Sequence, residues 1–268
     1  MTLKGDYHIH TPFCPHGSND AVSMYIEQAI KKGLTEITFT EHAPLPKNFT
    51  DPTPEQDSAM AWEDLDAYLE TIETAKKSYQ SKIKINLGFE VDYIEGYEQE
   101  TTSFLNEYGR VIDDAILSVH MLKSPDDGYV CIDFSSEEFA KIIQQFGSVE
   151  AVHYQYYQTL EKAVLSDLGA FKPKRIGHLT LIQKYQKKYA VDQSYQATID
   201  HLLNLIKQEQ LELDLNTAGL YKEDCQMLYP PEEIIEQAIA KGIVLKPGSD
   251  SHESKTIARG FDLIARFF

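Results

Sequence analysis

Short β-branched runs alternate with longer amphipathic stretches along the whole chain, and this alternation restricts the possible folds more than any other feature. The runs at residues 3–8, 36–40, 84–89, 115–119, 174–177, 211–215 and 243–246 are four to six residues long and apolar enough to be buried, as parallel strands are. Helical periodicity fills the rest, at 19–32, 62–79, 97–107, 135–145, 153–165, 194–208, 231–241 and 255–267. Gly33 follows the first helix as a C-cap, and Pro231 sits near a helix start, where its missing N–H costs nothing. Strands alternating with helices imply parallel βαβ units. Seven such units with no Pro/Gly/Ser-rich linker predict one α/β domain over residues 1–268, closed or nearly closed into a barrel. An open doubly wound sheet is the alternative. The irregular pieces 44–61 and 123–133 follow strands and are expected to lie over the mouth as lid-like loops.

Composition narrows the function classes. The 268 residues include 42 Asp and Glu against 25 Lys and Arg, a formal net charge of −17. Sequence-independent binding to nucleic acid or to an anionic membrane rests on clustered cations, so neither is expected as a partner. Cys14, Cys131 and Cys225 are far apart and odd in number, which argues against a disulfide framework and fits a reducing cytoplasm. The first residues have no apolar core of a signal peptide, and no run of about 18 apolar residues suits a membrane span.

The nine histidines carry the chemistry. The carboxyl ends of the runs deliver His8 and His10, then His42, Glu90, His120, His178, and finally Asp250 with His252; only the sixth run breaks the series, with Asn216 and Thr217. Enzymes on parallel barrels build their sites at these ends. His8 and His10, at i and i+2, share one side of a strand and can chelate one ion, and Asp250 and His252 have the same parity. His16 lies just past the first pair. Eight strand-end ligands plus His16 are too many for one tetrahedral ion, so two or three divalent transition metals are expected, with Glu90 as the bridging carboxylate. Manganese, iron and zinc all accept this donor mixture. His153 opens a helical aromatic stretch and is a candidate proton donor, although packing suits it better; His201, mid-helix, reads as a structural or surface residue.

His8-Ile9-His10 with His16, Thr40-Glu41-His42, Gly88-Phe89-Glu90, Ser118-Val119-His120, Ile176-Gly177-His178 and Gly248-Ser249-Asp250-Ser251-His252, in this order, resemble the polymerase and histidinol phosphatase (PHP) family. Within it, the 132–135 segment Ile-Asp-Phe-Ser, the 177–181 segment Gly-His-Leu-Thr-Leu, with Thr180 where Asp is usual, and the 216–220 segment Asn-Thr-Ala-Gly-Leu look like the histidinol-phosphate phosphatases. The resemblance implies a distorted (β/α)7 TIM-like barrel. It also implies a trinuclear site: His8, His10, Glu90 and Asp250 on one metal, Glu90, His120 and His178 on a second, and His16, His42 and His252 on the third.

The resemblance further implies hydrolysis of a small phosphomonoester, L-histidinol phosphate, to L-histidinol and phosphate in histidine biosynthesis, with a metal-bridging hydroxide as nucleophile. Of the four arginines, Arg259 and Arg175 are the candidate phosphate forks, and strand parity favours Arg259, placed near the start of the last expected helix. Asn216 is a further substrate-binding candidate, and Asp133 is expected to meet the substrate ammonium. Rival readings are another phosphoesterase, on a different monoester or a diester, and an amidohydrolase-like enzyme. The latter lacks a strand-borne lysine for a bridging carbamate.

Overall fold

The computed structural model describes residues 3–268, so Met1 and Thr2 of the expected domain lie outside the described residues. Seven parallel strands form one sheet: β1 (Gly5–Ile9), β2 (Glu36–His42), β3 (Lys84–Asp92), β4 (Asp114–Ser118), then, after the hairpin β5 (Met121–Lys123) and β6 (Tyr129–Cys131), β7 (Arg175–Ile176), β8 (Glu212–Asn216) and β9 (Leu245–Gly248). The order β1-β2-β3-β4-β7-β8-β9 follows the chain without a reversal, which excludes the doubly wound alternative. The edges approach each other: Ile9 bridges Ser251, His10 N–H donates to the Ser251 carbonyl at 2.9 Å, and Asp250 N–H donates to the His8 carbonyl at 2.8 Å. The sheet is therefore almost closed into a TIM-like barrel.

Helices cover the outside: α1 (Val22–Lys31), α2 (Leu65–Tyr79), α3 (Glu98–Tyr108), α4 (Ser136–Phe146), α5 (Val149–Leu165), α6 (Gln196–Gln208), α7 (Glu232–Ala240) and the short α8 (Phe261–Ile264). Each turns a stripe inward. In α1 the buried positions are Val22, Tyr25, Ile26 and Ala29, spaced by three, one and three residues as a 3.6-residue period requires. Every residue of β2 is buried, as expected of a strand with barrel interior on one face and helices on the other. Ser135 and Ser148 cap α4 and α5 by accepting the Glu138 and Ala151 amides at 3.1 Å. No described helix is long and apolar enough to cross a membrane.

Several expected elements differ: α5, expected from residue 153, starts at Val149 behind its Ser148 cap, and the last strand, expected at 243–246, runs from Leu245 to Gly248. The helix expected from residue 19 starts at Val22, because Asp20 accepts the Ser254 amide and hydroxyl at 2.9 and 2.7 Å and ties the chain start to its last segment. Residues 123–133 hold the antiparallel β5–β6 ladder in place of an irregular loop. The helix expected over 255–267 is broken: Ala258 and Gly260 have φ of 50° and 78°, leaving α8 between two 3-10 turns. Asp6 fixes that geometry from β1. Fully buried, it accepts from the Ser249 amide at 3.0 Å, the Ser249 hydroxyl at 2.5 Å and the Ala258 amide at 2.9 Å, while burial pushes its carboxyl up to about 6.

Candidate metal centre

Glu90, near the end of β3, is the hub. One carboxylate oxygen, Oε2, lies 3.1 Å from His8 Nε2 and 3.4 Å from both His10 Nε2 and His42 Nδ1. The other, Oε1, lies 2.9 Å from His178 Nε2 and 3.7 Å from His120 Nε2, and accepts the Ser118 hydroxyl at 2.5 Å. Asp250, after β9, adds Oδ1 at 3.2 Å from His10 Nε2 and 3.7 Å from His8 Nε2. Its φ of 52°, costly for a residue with a Cβ, turns the carboxylate into the mouth. Gly248 makes this approach possible, since a Cβ there would fall 2.6 Å from that of His8.

A layer of acceptors fixes the rings from behind. Asp214 lies 2.8 Å from His8 Nδ1, Glu41 3.2 Å from His10 Nδ1, and Asp92 2.8 Å from His120 Nδ1. Backbone carbonyls do the same for His16, through Asp57 at 2.8 Å, and for His252, through Asp250 at 3.1 Å. An ionised carboxylate or a carbonyl only accepts, so each shared proton sits on Nδ1 and the opposite nitrogen is left to bind. His42 and His178 are the exceptions: the Nδ1 of each has no hydrogen-bond partner, and in His42 it is Nδ1 that faces Glu90.

The fit to metal ions rests on this orphaning. His10 Nε2, His42 Nδ1 and His252 Nε2 are buried without a hydrogen-bond partner, and the His120 and His178 Nε2 atoms face each other at 3.1 Å. Leaving such groups unpaired costs about 1–3 kcal/mol each, and a shared cation removes the cost. Donor atoms within 4.8 Å of one another form the groups His8-His10-Glu90, Glu90-His120-His178, His42-Asp92-His120 and His10-Cys14-His42-His252. The chain thus presents His/Glu metal-binding clusters.

Protonation follows the same logic. Burial opposes a charge on Glu90, yet His8, His42 and the hydrogen-bonded His10 and His178 outweigh it and hold the carboxyl well below its usual range. Burial, then the neighbouring His10 charge, drives His42 and His252 well below theirs, toward the neutral, ligating imidazole. Burial also acts against charge on His8, but Glu90, Asp214 and Asp250 prevail and raise it to about 10.

Above the cluster opens a cavity of about 450 Å³. His16, His42, Glu90, His120, His178, Asp250 and His252 reach its wall, as do Asp133 and Arg259. Thr53, Asp57 and Ser58 bring the 44–61 loop over it. Arg259 stacks on Tyr221, 4.0 Å from the ring centroid, and arrives by its own side chain, with no long helix N-terminus behind it. Three expected residues stand elsewhere. Arg175 is fully buried in the barrel, 2.8 Å from Asp114 and 3.8 Å from Asp214, so it balances the carboxylate behind His8 and does not line the cavity. Asn216 donates to Asp214 and Asp250 at 3.1 and 3.2 Å, which makes it a positioning residue. His153 packs on α5 against Tyr195 and Tyr157 and does not line the cavity.

Sequence reasoning passed over Glu41, Asp92 and Asp214, the carboxylates behind three histidines, and Lys184 and Lys222 on the cavity wall. Parity offers a sign for one: Asp92 is two residues past Glu90 on the same strand. The lysines come from 3-10 turns, Lys184 within residues 181–185 and Lys222 capping 218–221, and carry no such sign.

Residues 6–218 match the family model described as the PHP domain. The chain belongs to the PHP family. Over 261 residues, 97% of both chains, this PHP protein is 45% identical to the histidinol-phosphatase of Bacillus subtilis. It superposes with a TM-score of 0.93 and 39% identity on a candidate histidinol phosphatase, HisK, from Listeria monocytogenes, covering 97% of this chain and 99% of that one. A Lactococcus lactis histidinol phosphate phosphatase, solved with zinc, L-histidinol and phosphate, shares the fold at a TM-score of 0.70 and 21% identity, over 98% of this chain and 93% of that one.

Proposed function

We infer that this PHP protein hydrolyses L-histidinol phosphate to L-histidinol and inorganic phosphate. The observation that carries the reading is the convergence of carboxylate-backed histidines on Glu90 beneath a cavity rimmed by cations, in a chain 45% identical to a histidinol-phosphatase. His8, His10, Glu90 and Asp250 would hold one divalent ion, Glu90, His120 and His178 a second, and His42 and His252 with His16 a third, drawn from manganese, iron and zinc. Bound there, such ions supply Lewis acidity, lowering the pKa of water toward neutrality and offsetting charge on the phosphoryl oxygens.

The chain's own side chains do the rest. Arg259, held flat by Tyr221, offers a planar fork to phosphate oxygens, while Lys184 and Lys222 add point charges on the same wall. Asp133 is half-buried, which would raise its carboxyl, but Lys184 at 3.0 Å and His120 hold it below its usual range, ready for the substrate ammonium. The −17 net charge disfavours a nucleic-acid substrate. The three cysteines are free and buried, in keeping with a cytoplasmic protein. Phosphate release from L-histidinol phosphate, compared with phosphodiesters and amides in the presence of manganese, zinc or iron, tests the reading. Preferred release from the monoester is expected; none with any of the three ions overturns it.

A further inference from the structure

Five acidic residues stand on the wall of the cavity above the metal centre, and four of them have a cation or a histidine opposite. Glu90 and Asp250 face the histidines of the cluster. Asp133 is paired with Lys184 at 3.0 Å, and Glu253 with Lys255 at 2.5 Å. The fifth, Asp57, is half-buried, and among the described residues its carboxylate makes no ion pair. Its one hydrogen-bond partner is the Thr53 hydroxyl at 3.4 Å, and the single hydrogen of that hydroxyl is better placed on Asp51, at 2.9 Å. The backbone beneath it is nevertheless fixed. Asp51 accepts the Thr53 amide and hydroxyl, both at 2.9 Å, and the Ser58 amide and hydroxyl at 2.9 and 2.7 Å, closing residues 51–58 into a ring. The Asp57 amide donates to Thr53 Oγ1 at 3.2 Å, and its carbonyl accepts from His16 Nδ1 at 2.8 Å. A carboxylate is thus held at the cavity by an anchored backbone while lacking a donor of its own.

We propose that Asp57 is a specificity-determining residue that accepts the ring N–H of the substrate's imidazole. L-histidinol phosphate presents a phosphoryl group, an ammonium and an imidazole. Arg259 with the two lysines answers the first and Asp133 the second, which leaves the ring N–H in need of an acceptor. A carboxylate serves it whether the ring is neutral or protonated, because it only accepts and both forms of the ring donate. A phosphomonoester without a donor at this place leaves Asp57 unpaired on binding, and that penalty is the source of discrimination. The inference rests on the substrate proposed above and names the residue that selects its ring.

Steady-state phosphate release by the metal-loaded full chain tests it with two substrates, L-histidinol phosphate and 2-aminoethyl phosphate, which keeps the ammonium and the ester but has no ring. The quantity read is the ratio of their kcat/KM values. Asp57→Ala should lower the parent's preference for L-histidinol phosphate by roughly 10–100-fold, with the change carried by KM. Asp57→Asn, which retains an acceptor oxygen, should recover part of that preference. Metal content by elemental analysis should match the parent in both variants, since His16 is held by the Asp57 backbone and not by its side chain. An unchanged ratio, whether both substrates slow equally or neither does, overturns the role of Asp57 and leaves the proposed function standing. No phosphate release from L-histidinol phosphate by the parent overturns both.

Discussion

Two buried environments hold histidine in this molecule, and they differ in what stands behind the ring. At the barrel mouth, His8, His10 and His120 each have a carboxylate on Nδ1, and their Nε2 atoms converge within 3.7 Å of Glu90. On α5, His153 is nearly as buried, at 3% exposure, but stacks on Tyr195 at a centroid distance of 5.4 Å and has no partner on Nδ1. Burial alone therefore does not make a ligand. The mouth binds because a second layer of acid fixes each tautomer and orientation before any ion arrives, whereas the tyrosine pocket only packs.

Removing the hub should break the comparison most completely. Glu90→Gln keeps the shape but halves the oxygen donors and removes the charge facing His8, His10, His42 and His178. Phosphate release should fall by roughly 10³-fold or more, about 4 kcal/mol of transition-state stabilisation, with metal lost on elemental analysis. Retained metal with retained activity would show that Glu90 is not the bridge.

The acid layer itself gives the next effect. Asp92→Asn leaves every proposed ligand in place but offers His120 Nδ1 a neutral amide in place of the carboxylate at 2.8 Å. Metal affinity or kcat/KM should drop about 10–100-fold with the melting temperature little changed. A loss of stability with unchanged metal affinity would make Asp92 a structural residue.

This second layer is also where sequence reading ran short. Strand ends could be read because hydrophobic period and strand length locate them, and barrel topology then sends every strand-end side chain to one mouth; His8, Glu90 and His178 needed nothing more. Glu41 and Asp214 contact their histidines across strands, from β2 to the residue after β1 and from β8 to β1, so partners 31 and 206 residues apart depend on register. Arg175 shows the same limit from the other side. Its strand is only two residues long, and burial beside Asp114 and Asp214 turned a candidate phosphate fork into an internal counter-ion. The last helix failed for another long-range reason, since the Ala258 amide, at positive φ, is held by the Asp6 carboxylate, 252 residues away.

The tyrosine pocket yields the smallest effect on chemistry and a distinct one on stability. Burial lowers His153 from 6.5 to about 4, and Glu150 offsets this only in part. In the unfolded chain the ring takes up a proton near pH 6.5; in the folded chain it does so only near pH 4. Between these values the unfolded state binds more protons, so stability is fully present above pH 6.5 and declines as the pH falls toward 4. The shift is worth about 3 kcal/mol at the acid end. His153→Phe removes the titrating group but keeps an aromatic ring against Tyr157 and Tyr195, so its denaturation midpoint should depend less on pH across this window, while kcat/KM and metal content at pH 7.5 stay those of the parent. A large loss of kcat/KM with unchanged stability would return His153 to the catalytic machinery, because a ring that only packs has no means of altering turnover without altering the fold.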